Sequence, residues 1–411
     1  MIMNSLYTSK VLKNCLISGN SVEKILDFGQ HSYADTFIAE NQLHLSEPVF
    51  PLQLFLNKDS GMIQLGYMSD DEERYNLYEY SYTSSNSKVS RKHWDEFAAY
   101  ALNKYGDYKF SIEIGSNDGY LINQFAKNNK KILGIDCSKQ MCDTANSNGV
   151  RSIQRVFSLP VAQEVLSEDG KADIIIANNV FNHSNNPLDF AKAVATLLSD
   201  NGVFIFEVPY WLVMVQSNRF VDMVYHEHIS YFTVKSCRNL LNAAGLEMVD
   251  FDIVDYHGGS LRVEAKLKGH NPNKEKILNA IEEETKAGLY DVEFYHRFQK
   301  KLELDRANWL KKFYELLEND PNAVVIGVGA AAKANTWLNW HRLDKTLLHC
   351  ITDASQSKQG KYTPLSRIPI RGDDEFANHE RPYALILSWN ISDSLKQILL
   401  NINPNIRFIS Q

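Results

Sequence analysis

The tightest constraint on the fold is a short apolar run that ends on a glycine. Phe110-Ser111-Ile112-Glu113-Ile114 leads directly into Gly115-Ser116-Asn117-Asp118-Gly119 and then into the helical pattern YLINQFAK. A strand, a glycine turn and a helix in that order bring backbone close to a ligand with no side chain in the way. A second strand candidate, KILGID, ends on Asp136. In a parallel sheet that carboxylate lies at the carboxyl edge, where ribose hydroxyls can donate to it.

The turn reads EIGSNDG rather than GxGxxG. Glu113 also stands where a pyrophosphate would want neutral backbone. A carboxylate there suits a cationic ligand, and S-adenosylmethionine carries both a sulfonium and an ammonium. Glu113, Gly115, Asn117, Asp118, Gly119 and Asp136 are therefore candidate cofactor residues. Asn178 and Asn179 join them, because they follow the strand candidate ADIIIAN and fall beside the same crevice.

The pattern around this turn repeats. FSIEI, KILGID, ADIIIAN and VFIFEV are rich in β-branched and aromatic residues, whereas HWDEFAAYALNKY and PLDFAKAVATLL have helical periodicity. Such alternation predicts a parallel sheet covered by helices over residues 96–270. Residues 1–95 are irregular, with an acidic, tyrosine-rich run DDEERYNLYEYSYTSS, and read as a small lid or substrate-recruiting domain. Residues 271–318 are charged, lack proline after Pro272 and predict one or two helices joining domains, mainly as a solvated connector. From 319 to 411, AVVIGVG, AAAKANTWLNW, LHCITD and YALILSW predict a second α/β unit of Rossmann type.

A chain of 411 residues can bury more than one core. The net charge of -7 argues against nucleic acid as a general partner. No apolar run is long enough to span a bilayer, and the first residues lack the apolar core of a signal peptide, so the cytoplasm is the expected compartment. Five scattered cysteines read as reduced thiols.

A second polar concentration lies between Asp222 and Phe232, where Tyr225, His226, Glu227, His228 and Tyr231 crowd together. His226 and His228 are spaced i, i+2, which shares a face of a strand but not of a helix. The zinc-protease pair, two histidines at i, i+4 on a helix, is not what this spacing gives. Proton chemistry fits the residue types better than a catalytic metal. A neutral imidazole oriented by a carboxylate can take a proton from carbon, and tyrosine hydroxyls can hydrogen-bond the enolate oxygen. A methyltransferase aimed at a hydroxyl would need less equipment. His183, in NNVFNH after ADIIIAN, falls beside the crevice.

EIGSNDGYL, NNVFNH, YHEHISYF, HGGSLRV, GVGAAAKANT, DASQSKQGKYTP and SWN closely resemble blocks of the sugar C-methyltransferase family, and they occur in the family's order. The resemblance implies a small N-terminal domain, a central class I methyltransferase domain and a C-terminal α/β domain. It further implies S-adenosylmethionine as methyl donor and a nucleotide-activated 4-keto sugar as substrate, held between domains in a monomer or small homo-oligomer. By the same resemblance His228 is the base at C3, supported by Glu227 and Tyr225, with His183 and Tyr80 lining the pocket. His257, Gly258, Gly259, Ser260, Lys333 and Asn335 would meet the substrate, Lys333 at the diphosphate beside a helix N-terminus.

One departure stands out. Family members hold a zinc ion in the N-terminal domain with two CxxC pairs. Here those positions read Cys15-Leu16-Ile17-Ser18 and Asn57-Lys58-Asp59-Ser60, which predicts no zinc. The alternatives are a methyltransferase acting on oxygen, nitrogen or another keto-acceptor, and a non-methylating nucleotide-sugar oxidoreductase or binding module. The last is disfavoured because GVGAAAK is not a full GxGxxG.

Overall fold

The apolar runs become the strands of a seven-stranded sheet in the computed structural model, which describes residues 9–69, 85, 87–217 and 220–409. In chain order they are β1 (Phe110–Ile114), β2 (Lys131–Asp136), β3 (Ser152–Gln154), β4 (Ala172–Asn178), β5 (Leu198–Pro209), β6 (Leu246–Val254) and β7 (Ser260–Leu267). Their spatial order is β6-β7-β5-β4-β1-β2-β3. The first five are parallel, and β7 runs antiparallel to both β5 and β6. Helices cover both faces, so β1 is buried at every position, Ser111 and Glu113 included. This is the helix-covered α/β sheet that the sequence patterns predict, in the arrangement that the family resemblance implies.

The chain lays down β1, β2 and β3 outward, then crosses back to place β4 on the other side of β1. Open parallel sheets bind ligands at such a switch point, outside the carboxyl ends of the strands. Here that point brings the Gly115 turn beside Asn178 and Asn179, since Ile176 of β4 pairs with Glu113 of β1. Gly115 has φ +70°, and a Cβ there would lie 2.0 Å from Val180 Cγ2. Only glycine fits both the conformation and the space.

Helix α1 (Lys88–Lys104) starts upstream of residue 96, capped by Ser87, whose hydroxyl accepts from Ser90 N–H. The N-terminal region, irregular in sequence, builds a four-stranded antiparallel sheet from Glu23–His31, Phe50–Asn57, Met62–Leu65 and Ser230–Tyr231. Its last strand comes from beyond the histidine–glutamate cluster, so that cluster is anchored to two sheets. The connector is more than a solvated link. Its helices, Lys274–Lys286 and α2 (Val292–Asn319), bury Glu284, Tyr295 and Phe313. Glu284 accepts from Tyr210 Oη at 3.0 Å and from the N–H groups of Val234 and Lys235, which open the helix Val234–Ala243.

The C-terminal unit is a five-stranded parallel sheet. It contains β8 (Val325–Val328), helix α3 (Ala332–His341), β9 (Cys350–Thr352) and β10 (Tyr383–Ile386). Lys361–Tyr362 pairs with Ile38–Ala39, which ties this unit to the N-terminal one. Among the described residues no helix is long and apolar enough to cross a membrane.

Candidate active site

A cavity of about 920 Å³ opens at the switch point and is bordered by residues of all three units. That volume is near the top of the roughly 300–1,000 Å³ range of small-molecule sites. One end is lined by Glu113, Gly115, Asn117, Asp136, Asn178 and Asn179. The other is lined by His183, Tyr225, Glu227, His228, His257 and Lys333.

At the first end the turn is locked from below. Gly115 N–H donates to the Ile135 carbonyl at 2.7 Å, and Asp136 accepts from Asn117 N–H and Ser138 N–H, both at 2.8 Å. Burial still raises the Asp136 carboxyl above its ordinary pKa. Glu113 accepts from Ile122 N–H at 2.9 Å. Burial, with Asp118 and Asp136 nearby, pushes its carboxyl well above the usual range. A cationic ligand would reverse that shift by giving the carboxylate a partner.

Both polar atoms of Asn178, and the amide nitrogen of Asn179, are buried without a hydrogen-bond partner among the described residues. Such groups are costly unless something pairs them. With the bare turn and the buried acid, these orphaned groups fit S-adenosylmethionine. Asn179 is held at φ 54°, its N–H donating to the Glu207 carbonyl at 2.8 Å. Glu207 in turn accepts from His93 at 2.6 Å and Arg262 at 2.7 Å.

Two of the sequence-derived cofactor residues do not border the cavity. Asp118 accepts from the Ser85 hydroxyl and from Tyr120 N–H at 3.3 Å. Gly119, at φ +79°, packs where a Cβ would meet Val150 at 2.9 Å. They shape the turn and its exit into the helix.

At the other end His228 is buried beneath two rings. The His183 ring meets it edge-on at 4.8 Å between centroids, and the Tyr225 ring lies 4.0 Å away. Burial pulls its pKa down to about 3, against a hydrogen bond to the Met223 carbonyl. The ring is therefore neutral, with one nitrogen oriented by a backbone carbonyl rather than by the carboxylate that the sequence suggests. Glu227 instead accepts from Ala34 N–H at 2.9 Å and Asp35 N–H at 3.2 Å, drawing the N-terminal unit onto the loop. His226 does not share a face with His228, because residues 226 and 227 form a turn. Its ring packs edge-on against Phe50 and bonds the Phe50 carbonyl at 3.3 Å. Tyr80 lies outside the described residues.

His257, at φ 53°, faces the cavity, and burial first, then Lys333, hold its pKa down to about 3. Its neighbours do not line the cavity. Gly258 and Gly259 have φ +85° and +115°, and a Cβ at either would strike Trp389 or Val213. Ser260 is fully buried and donates to the Tyr256 carbonyl at 2.9 Å. Lys333 reaches the cavity from the first turn of α3. Asn335 does not, for its amide donates to the Ala34 carbonyl at 2.6 Å. Sequence reasoning missed Asp35, Trp94, Arg155, Asp353 and Lys358, which also border the cavity. Asp353 had a readable signal, an acid ending a strand as Asp136 does.

The zinc positions of the N-terminal sheet do not fit a metal. Cys15 Sγ meets Ser60 Oγ at 3.3 Å, and Ser60 donates its N–H and hydroxyl to Asn57 Oδ1 at 2.9 and 2.8 Å. One thiol, hydroxyls and an amide are not a zinc donor set, and hydrogen bonds close the knuckle instead. Among the described residues, His349, Glu375 and His379 converge without lining the cavity, and Arg371 shares their carboxylate at 2.8 Å.

Three family models match in succession: a zinc binding domain over residues 15–75, a methyltransferase domain over 91–250 and a C-methyltransferase C-terminal domain over 255–409. From residue 91 onward the matched models are those of methyltransferases, the last of them a C-methyltransferase domain. The C-methyltransferase NovU of Streptomyces niveus is 27% identical over 92% of this chain and 90% of its own. A ubiquinone biosynthesis O-methyltransferase of Burkholderia thailandensis is 23% identical over 36% of this chain and 68% of its own. A solved S-adenosylmethionine-dependent methyltransferase from Clostridium acetobutylicum has 15% identity and a TM-score of 0.35, covering 44% of this chain and 94% of that one. The match over residues 91–250 makes this chain a methyltransferase, and the cavity end at Glu113, Asn178 and Asn179 suits S-adenosylmethionine as the methyl donor.

Proposed function

We propose that the enzyme methylates C3 of a nucleotide-activated 4-keto sugar. The observation that carries this reading is one cavity shared by two glycine turns of opposite electrostatic character, with a neutral histidine between them. Glu113, Asn178, Asn179 and Asp136 hold the methyl donor, which supplies an electrophilic methyl group on a sulfonium. The C-terminal turn, Lys333 and Lys358 take the nucleotide and its diphosphate. In that arrangement the sugar ring falls near His183, Tyr225 and His228.

The C4 ketone acidifies the C3 hydrogen, and His228 removes that proton through its free ring nitrogen. Electrons of the broken C–H bond pass into the enolate, and its carbon is the nucleophile. Charging a buried imidazole is costly alone. It is offset here because the enolate charge appears in the same cavity, where low dielectric strengthens the attraction. His183 and Tyr225 are placed to hydrogen-bond the enolate oxygen. The remainder of the rate comes from alignment of donor and acceptor on two rigid sheets.

The test is an assay of the enzyme with S-adenosylmethionine against a panel of nucleotide 4-keto sugars, with product position read by NMR. A C3-methylated product is expected, and deuterium from solvent should enter C3 even when S-adenosylhomocysteine replaces the donor. Methylation on oxygen or nitrogen, or no product across the panel, would refute the reading.

A further inference from the structure

We propose that Trp389 is a positioning residue, whose indole fixes the Lys333 ammonium at the anion-binding end of the cavity and ties it to the loop that carries His228. The inference rests on the proposed nucleotide-sugar reading. It accounts for the motif SWN, which touches none of the chemistry directly.

Several contacts converge on this one ring. Lys333 Nζ lies 5.3 Å from the indole centroid and donates to Asn390 Oδ1, on the next residue, at 3.0 Å. Trp389 Nε1–H donates to the Asp222 carboxylate. Asp222 belongs to the turn Val221–Met223, and Met223 supplies the carbonyl that orients the His228 ring. On a third side the chain is bare: a Cβ on Gly258 would lie 2.8 Å from the indole Cη2. The turn after His257 is thus left empty where the ring passes. The blocks HGGSLRV, GVGAAAKANT and SWN, remote in sequence, meet at this contact.

Trp389 does not itself border the cavity, so it acts through Lys333. A lysine head on a flexible four-carbon stem samples many rotamers, and ordering it on binding opposes affinity. A ring face beneath the ammonium and an amide oxygen beside it fix the cation before an anion arrives. The Asp222 bond makes the same ring a strut between the phosphate end and the base.

The test measures binding of thymidine, uridine, guanosine and cytidine diphosphates to the full chain by calorimetry. Trp389→Leu should weaken the nucleoside diphosphate that wild type prefers about tenfold. Trp389→Phe should recover most of that loss because the ring face remains, and S-adenosylhomocysteine affinity should not change in either variant. Adding Trp389→Leu to Lys333→Met should cause no further loss. Losses that multiply, or a Phe variant as weak as the Leu variant, overturn the proposal. A second measurement does not need a nucleotide or the Leu variant. After reductive methylation with ¹³C-formaldehyde, the wild-type Lys333 signal should be ring-current shifted, and Trp389→Phe should move it without abolishing the shift. An unshifted signal in wild type overturns the placement. A shifted signal with no nucleoside diphosphate bound supports the placement and refutes the nucleotide reading instead.

Discussion

Two glycine turns face the same cavity, seated by matching hydrogen bonds but carrying opposite side chains. In each, the turn glycine donates its N–H to the carbonyl of the residue before an aspartate: Gly115 to Ile135 and Gly329 to Thr352, both at 2.7 Å. Each aspartate then accepts from the turn and from the N–H two residues on. Asp136 takes Asn117 and Ser138, and Asp353 takes Ala330 at 2.8 Å and Ser355 at 2.9 Å. Counted from the turn glycine, Glu113 is matched by Gly327, Asp118 by Ala332 and Gly119 by Lys333. The first turn carries carboxylates and no cation, and the second carries a cation and no carboxylate. On the proposed reading, a common scaffold seats a ribose at its aspartate in either unit, and the residues flanking the glycine select the charge of what is attached to that ribose.

His228, the proposed base, lines the cavity that the two turns share, and its removal should separate chemistry from binding most sharply. His228→Ala is expected to lower kcat by roughly 10²–10⁴-fold. Affinity for S-adenosylhomocysteine, measured by calorimetry, should stay within about twofold of wild type, because no hydrogen bond of the Glu113 end involves this ring. Near-normal turnover would remove His228 as the base.

The next test crosses the two turns. Glu113→Gln keeps the shape but loses the charge, and should weaken S-adenosylhomocysteine by roughly ten- to a hundredfold, the usual worth of a charged hydrogen bond. Nucleoside diphosphate affinity should be untouched. Lys333→Met should do the reverse, costing the diphosphate about tenfold and leaving S-adenosylhomocysteine alone. Isothermal titration of both ligands against both variants gives four numbers. A variant that weakens both ligands equally would mean that the turns are not independent seats.

What could be read in the sequence was local. FSIEI with Gly115, and KILGID with Asp136, lie within a strand and its turn, so periodicity and residue type define them. The second turn was readable too, and its acid carried the same signal, since LHCITD ends on Asp353 as KILGID ends on Asp136. Long-range placement was not legible. Ser230–Tyr231 joins Met62–Leu65, and Glu227 reaches back to Ala34, because tertiary pairing decides both. The spacing of His226 and His228 suggested a shared face, yet a turn between them sends one ring to Phe50 and the other into the cavity. Asn335 looked like a ligand group, but it lies two residues past Lys333, roughly opposite it on the helix and on the side that packs against Ala34.

The smallest expected effect concerns pH, and it distinguishes a buried base from an ordinary one. An exposed histidine base, with a pKa near 6.5, loses half its activity around that pH as it protonates. Burial favours the neutral form of His228 and brings its pKa to about 3, so the fraction able to accept a proton is already complete well below pH 6. The sign follows directly. A depressed base pKa moves the acid limb of kcat/KM downward, and the profile should be flat from about pH 5 to 7 as far as this residue is concerned. Opening the cavity to water should move the limb back up. Tyr225→Ala, which strips the ring 4.0 Å from His228, is expected to raise the limb toward 6 while lowering the plateau. A wild-type limb near 6.5 that Tyr225→Ala leaves in place would show that the base is not shielded in the working enzyme. The contrast with the charged turns would then have to be drawn from the ligands rather than from the protein.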